Sequence, residues 1–209
     1  MNKVSFRYAL LIVAITAIIL SSCGGPGSNP VYTTIRWELD DNGYDQFYTN
    51  DPQYYAYGFS ISYSAPGNDP MAPVEYTVKK VSGCVEGEYG ILICDEDDSG
   101  SYEIQIRTNG TYSVAEWIDN GGSWTSDTIV DWTATGNLNQ GYDTDNVILA
   151  EWDAANNEFD ISFNGTSTFS VPLASFTNPR TGGDYGYFCA IGFDDEESFP
   201  GTPADFRFK

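Results

Sequence analysis

From about residue 32 onward, apolar and polar residues alternate in short runs, and clusters of Gly, Asn, Asp and Ser break the alternation at short intervals. A period of two sends successive side chains to opposite faces of a pleated strand, so each run reads as a strand with one face in a core. The stretch 89–132, YGILICDEDDSGSYEIQIRTNGTYSVAEWIDNGGSWTSDTIVDW, is the centre of the pattern and predicts a meander of antiparallel strands. Across the chain the pattern predicts strands at 33–39, 54–63, 74–82, 89–95, 101–107, 111–118, 124–132, 146–152, 158–164, 167–172, 184–193 and 204–209. Asn109-Gly110 and Asn164-Gly165 sit between alternating runs, where a two-residue hairpin turn needs positive φ. No run has helical periodicity beyond a turn or two. Many short strands without intervening helices predict an all-β fold, a two-sheet antiparallel jelly-roll sandwich.

The first residues follow a different rule. Lys3 and Arg7 precede an apolar run ending in Leu20-Ser21-Ser22-Cys23, too short for a comfortable membrane span. This is the pattern of a bacterial lipoprotein signal at 1–22, with Cys23 the acylated amino terminus and 23–30 a Gly- and Pro-containing tether before a single domain at 31–209. Gly24 rather than an aspartate after the cysteine points, in a Gram-negative host, to the outer membrane or cell surface.

Formal net charge is −21, and removal of 1–22 would take away only basic residues. Such a surface repels phosphate backbones and anionic headgroups, which argues against nucleic acid as a partner and leaves the lipid anchor as the membrane link. Histidine is absent, removing the commonest general base and transition-metal ligand. After Cys23 there remain Cys84, Cys94 and Cys189, without CxxC spacing. A local Cys84–Cys94 disulfide is the most economical pairing in an exported protein, and Cys94–Cys189 is the alternative.

The segments YGILICDEDDSGSYEIQIRTNGTYSVAEW, SWTSDTIVDW, NVILAEWDAANNEFDISFNGTSTFSVPL, YGYFCAIGF and ADFRFK follow one another in an order that resembles concanavalin A-like jelly rolls. The resemblance is to the branch of laminin-G-like modules and of the domain named for 3-keto-disaccharide hydrolases, and it covers about 37–209. It implies a glycan-binding, glycan-cleaving or adhesive module in a bacterial lipoprotein, and fold analogy does not choose among these.

Cleavage would ordinarily need two carboxylates across a sugar. Retaining glucanases that the chain resembles carry Glu-x-Asp-x-x-Glu on one strand; from Glu151 the chain has Asp153 but Asn156 in the third place, so the pattern is broken. Glu103 and Glu116, on neighbouring strands, are a second pair if register allows. No catalytic residue is assigned.

Binding would use rings the core does not need. With the aliphatic faces inward, Glu103, Gln105 and Arg107 lie beside Trp117 on the open sheet, which turns Glu116 toward the inner edge. Trp117 and Trp124 with Glu103, Gln105 and Arg107 form the candidate ligand site; half-buried packing under a loop is the competing role for the two rings. Trp37, Trp132 and Trp152 read as structural. Asp95, Asp97 and Ser99 resemble the first half of a calcium loop, but Ile106 stands where the closing Glu of an EF-hand belongs. No cofactor is expected, with calcium at that turn the alternative; Asp194 to Glu197 makes a weaker acidic turn. The expected function is a lipid-anchored, non-catalytic carbohydrate-binding or adhesion module of the cell envelope. A structural lipoprotein with an envelope protein partner comes next and a glycoside hydrolase third.

Overall fold

The computed structural model describes residues 32–51, 59–65, 71–96, 99–191 and 202–209; Cys23, the signal segment and the acidic turn at 194–197 lie outside them. The chain is all-β, a two-sheet antiparallel jelly-roll sandwich. Its strands are β1 (Thr34–Leu39), β2 (Asp45–Thr49), β3 (Phe59–Ala65), β4 (Val74–Ser82), β5 (Glu88–Glu96), β6 (Gly100–Ile106), β7 (Thr111–Asp119), β8 (Trp124–Ala134), β9 (Asn146–Asp153), β10 (Glu158–Phe163), β11 (Thr166–Pro172), β12 (Asp184–Ile191) and β13 (Ala204–Phe208). A single 3-10 turn, Leu173–Ser175, is the helical structure among the described residues. One sheet runs β1-β2-β13-β4-β9-β10-β11 and the other β3-β12-β5-β6-β7-β8. The expected meander is β5 to β8, while β12 and β13 insert beside strands distant in sequence.

Alternation closes the core. Tyr89, Ile91 and Ile93 of β5, Tyr102, Ile104 and Ile106 of β6, and Tyr112 and Val114 of β7 face Phe159, Ile161 and Phe163 of β10 and Phe206 and Phe208 of β13, all buried. Burial of each such side chain contributes about 1.5–3 kcal/mol before the entropy cost of ordering it. On β4 the same parity separates two consecutive lysines. Lys79 faces outward and pairs with Asp143 at 3.0 Å, while Lys80 is fully buried, donating to the carbonyls of Cys84 and Gly87 and lying 5.0 Å from the centre of the Phe206 ring.

Three expectations are corrected. The strand β2, DQFYT, is missing from the sequence reading because only Phe47 and Thr49 are buried in it, amid a polar, Asn- and Asp-rich stretch. The Asn109-Gly110 turn is a wider one: Gly110 N–H donates to Arg107 O at 3.1 Å, Arg107 N–H to Thr111 O at 3.0 Å, and only Gly110 has positive φ. Asn164 and Gly165 do both have positive φ, 52° and 75°, as a two-residue hairpin requires. Finally, Cys84, Cys94 and Cys189 are free, buried thiols. Cys84 precedes β5 and Cys94 lies near its far end, so the extended strand carries them about 20 Å apart at ~3.3 Å per residue, beyond disulfide reach. The Cys94 thiol instead faces Arg180 O at 3.7 Å.

Candidate functional site

Of the five tryptophans, Trp37 and Trp152 pack against the core, and Trp117, Trp124 and Trp132 belong to β7 and β8. Register fixes their face. Trp117 lies opposite Ser101 on β6 and Ser126 on β8, Glu103 opposite Ala115, and Gln105 opposite Ser113. Residues directly opposite share a face, so these side chains line the face of the six-stranded sheet turned away from the core. Trp124 lies opposite Asp119, two positions along from Trp117, and is on that face too.

Trp132 joins them. The β7–β8 register shifts twice, on either side of the Val114–Val130 pair, so two extra residues of β8 are absorbed there and the original parity returns. Arg107 confirms the placement, since its guanidinium lies 3.8 Å from the centre of the Trp132 ring. Trp132, expected to be structural, shares its parity along β8 with Trp124 and so lies on the outer face, where it packs on Arg107.

Glu103 organises the site from below. Its Oε2 accepts from Trp117 Nε1 at 2.7 Å and from Gln105 Nε2 at 3.0 Å. Glu103 is 2% exposed and Gln105 7%, whereas Trp117 and Trp124 are half-buried and Ser126 and Thr128 exposed. The acid and the amide therefore fix the indole rather than present themselves at the surface, and the ring edge tied to a buried carboxylate gives Trp117 one orientation. Arg107 is also committed: it pairs with Glu88 at 2.7 Å while stacked on Trp132, with about a fifth of its side chain still accessible.

Glu103 and Glu116 do not form an acid pair, because they project from opposite faces: Glu103 is opposite Ala115, and Glu116 opposite the core residue Tyr102. Turning Glu116 inward is offset by dedicated partners. Its carboxylate accepts from Thr177 N–H at 2.6 Å and Asn178 N–H at 3.0 Å, and lies 3.5 Å from the buried Arg180 guanidinium. Arg180 also donates to Ser99 O at 2.7 Å, and its own N–H donates to Tyr102 Oη. This network pins the segment between β11 and β12 against the sheet.

Two carboxylates of the outer face flank Glu103 along β5: the buried Asp95, opposite Asp184 and about two positions from Glu103, roughly 7 Å at ~3.3 Å per residue, and Glu88 on the other side. Tyr89 pairs with Ile106 and Leu92 with Glu103, so Glu88 lies four positions along the strands, about 13 Å at ~3.3 Å per residue. Glycosidase carboxyl pairs are about 5–9.5 Å apart. Glu151 is exposed on the other sheet, and Asp153 caps a turn, accepting from Ala155 N–H at 2.7 Å and Asn156 N–H at 3.2 Å. Those bonds hold its carboxyl below the usual range.

At the acidic turn, Asp97 lies outside the described residues, Asp95 is buried, and the Ser99 carbonyl is engaged by Arg180. Among the described residues no cluster of three or more acidic or Cys side chains is arranged to hold a metal ion.

The sequence matches no family model and no curated protein. The fold is similar to that of the carbohydrate-binding module CBM66 from Bacillus subtilis, at TM-score 0.53 and 15% identity over 85% of this chain and 91% of that one. A glycoside hydrolase family 16 endo-glucanase from Bacteroides ovatus aligns at TM-score 0.54 and 10% identity, over 85% and 92%. The Crh5 transglycosylase aligns at TM-score 0.51 and 10% identity, over 85% and 78%. At these identities the likeness is one of fold.

Proposed function

We propose that this chain is a carbohydrate-binding module without hydrolytic activity, held at the cell envelope by an acylated Cys23. One observation carries the reading: Trp117, half-buried on the outer face, has its indole N–H fixed at 2.7 Å by the buried Glu103. A ring held in one orientation loses little entropy when a sugar stacks its C–H face on it, and Trp124, Ser126 and Thr128 supply a second ring and hydroxyls on the same face. The similar fold of a carbohydrate-binding module is compatible with this use of the sheet. Against hydrolysis stand the commitment of the Glu103 carboxylate to the Trp117 and Gln105 N–H groups and Asn156 in the third place of the acidic pattern begun at Glu151.

The test is a panel of immobilised polysaccharides probed with the full chain and with Trp117→Ala. The substitution should weaken retention by about 1–3 kcal/mol with unfolding still cooperative. Undiminished retention of Trp117→Ala, or release of reducing sugar, would overturn the reading. For the anchor, Cys23→Ala should abolish acyl labelling and free the protein from membranes, and continued membrane retention would count against it.

A further inference from the structure

Resting on that reading, we infer that the ligand is a neutral, extended glycan strand lying along β8, bound at one end by Trp117 and Trp124 and at the other by the Trp132–Arg107 pair. Two aromatic stations occupy the same face. Ser126, opposite Trp117, lies six positions before Trp132 on β8, but the two absorbed residues make this four positions of β7, about 13 Å at ~3.3 Å per residue, and Trp124 stands two positions farther out, roughly 20 Å from Trp132. Between the stations β8 carries the exposed Thr128, beside the small, buried Ala115 and Ser113 of β7, the Ser113 hydroxyl donating to Val130 O at 2.9 Å. A single sugar ring covers one station; only a chain of several residues reaches both.

The second station differs in kind from the first. At Trp117 a buried acid fixes the ring, whereas at Trp132 a guanidinium lies 3.8 Å from the ring centre and is itself tied to Glu88 at 2.7 Å. A cation stacked on an indole immobilises it and sets N–H donors beside an apolar surface, the combination that suits a sugar's hydroxyls and C–H face.

Charge selects a neutral chain. Among the described residues Arg107 is the cation at the outer face of this sheet, its charge balanced by Glu88, while Arg180 is buried against Glu116 on the inner face. Asp119 stands on the Trp117 face opposite Trp124, and the chain as a whole carries −21. A polyuronate would meet repulsion with no free cation on these strands to offset it.

The experiment measures affinity of the full chain for oligosaccharides of mixed-linkage β-glucan, xylan, mannan and levan, from disaccharide to hexasaccharide, with polygalacturonate as the charged comparison. For the series that binds, affinity should rise with length by roughly tenfold or more beyond the disaccharide. Trp132→Ala should remove that rise and leave disaccharide affinity within about twofold, whereas Trp117→Ala should weaken every length. Thermal unfolding of Trp132→Ala that remains cooperative excludes a folding defect. Binding that saturates at the disaccharide, a length dependence unchanged in Trp132→Ala, or preference for polygalacturonate would overturn this inference and leave carbohydrate binding standing. No binding by any series would overturn the carbohydrate-binding reading itself.

Discussion

The indole N–H of Trp117 donates to Glu103 Oε2 at 2.7 Å across two neighbouring strands, and the acceptor is 2% exposed while the ring reaches the surface. A buried carboxylate thereby sets the orientation of a surface ring, which makes Glu103 a positioning residue. Glu103→Ala should leave the Trp117 N–H without this acceptor and cost about 1–3 kcal/mol of stability, with a matching loss of glycan affinity. Glu103→Gln keeps an acceptor oxygen and should recover most of both. Urea unfolding, tryptophan emission and affinity, measured on the pair, distinguish this from a general packing role, for which the two variants would bind alike.

Glu116 and Arg180 form the buried counterpart on the inner face, their side chains 0% and 5% exposed. Removing one partner strands a charge and two backbone N–H groups, so Glu116→Ala should destabilise by about 3–5 kcal/mol. Amide exchange should show early opening at Thr177 and Asn178, whose N–H groups lose their acceptor. Retained protection there would show that the carboxylate is not what holds this segment.

Three buried thiols predict a chain without an internal disulfide. Peptide mapping under non-reducing conditions should find Cys84, Cys94 and Cys189 unlinked, each alkylated only after unfolding. A Cys84–Cys94 peptide would contradict the β5 geometry.

Burial also sets an alkaline limit. It pushes the Cys94 thiol from 9.0 up to about 12 and the Tyr76 phenol from 10.0 up to about 12. Both groups are neutral when protonated and both ionise more readily in the unfolded chain, so the stability they contribute is full below the unfolded values and is lost as pH rises toward about 12. The urea midpoint should fall across that window, and a flat profile would show these groups to be solvated in the folded state.

Gly90 lies between Phe188 and Gln105 on the outer face, and a Cβ there would stand 2.0 Å from the Ile104 carbonyl oxygen. Gly90→Ala should force β5 and β6 apart and cost about 1–3 kcal/mol, read from the unfolding midpoint. A midpoint equal to that of the parent chain would mean that the strands yield without loss.

Alternation by itself determined the all-β class, nearly every strand, and the grouping of Glu103, Gln105, Arg107 and Trp117 on one face, because a period of two leaves a side chain only two directions. It also held the parity that places Trp132 with Trp124. What it could not hold was distance across the sandwich. That Cys94 is carried away from Cys84, that Lys80 is buried beneath the Cys84 and Gly87 carbonyls, and that Glu116 finds Thr177, Asn178 and Arg180 from a distant crossing segment all depend on which strands become neighbours. Burial depended on it as well: Glu103 and Gln105 share a face with Trp117 by pattern, but only packing made them the support beneath the ring rather than surface groups around it. Local periodicity fixes direction, and the assembled sheets decide depth and partners.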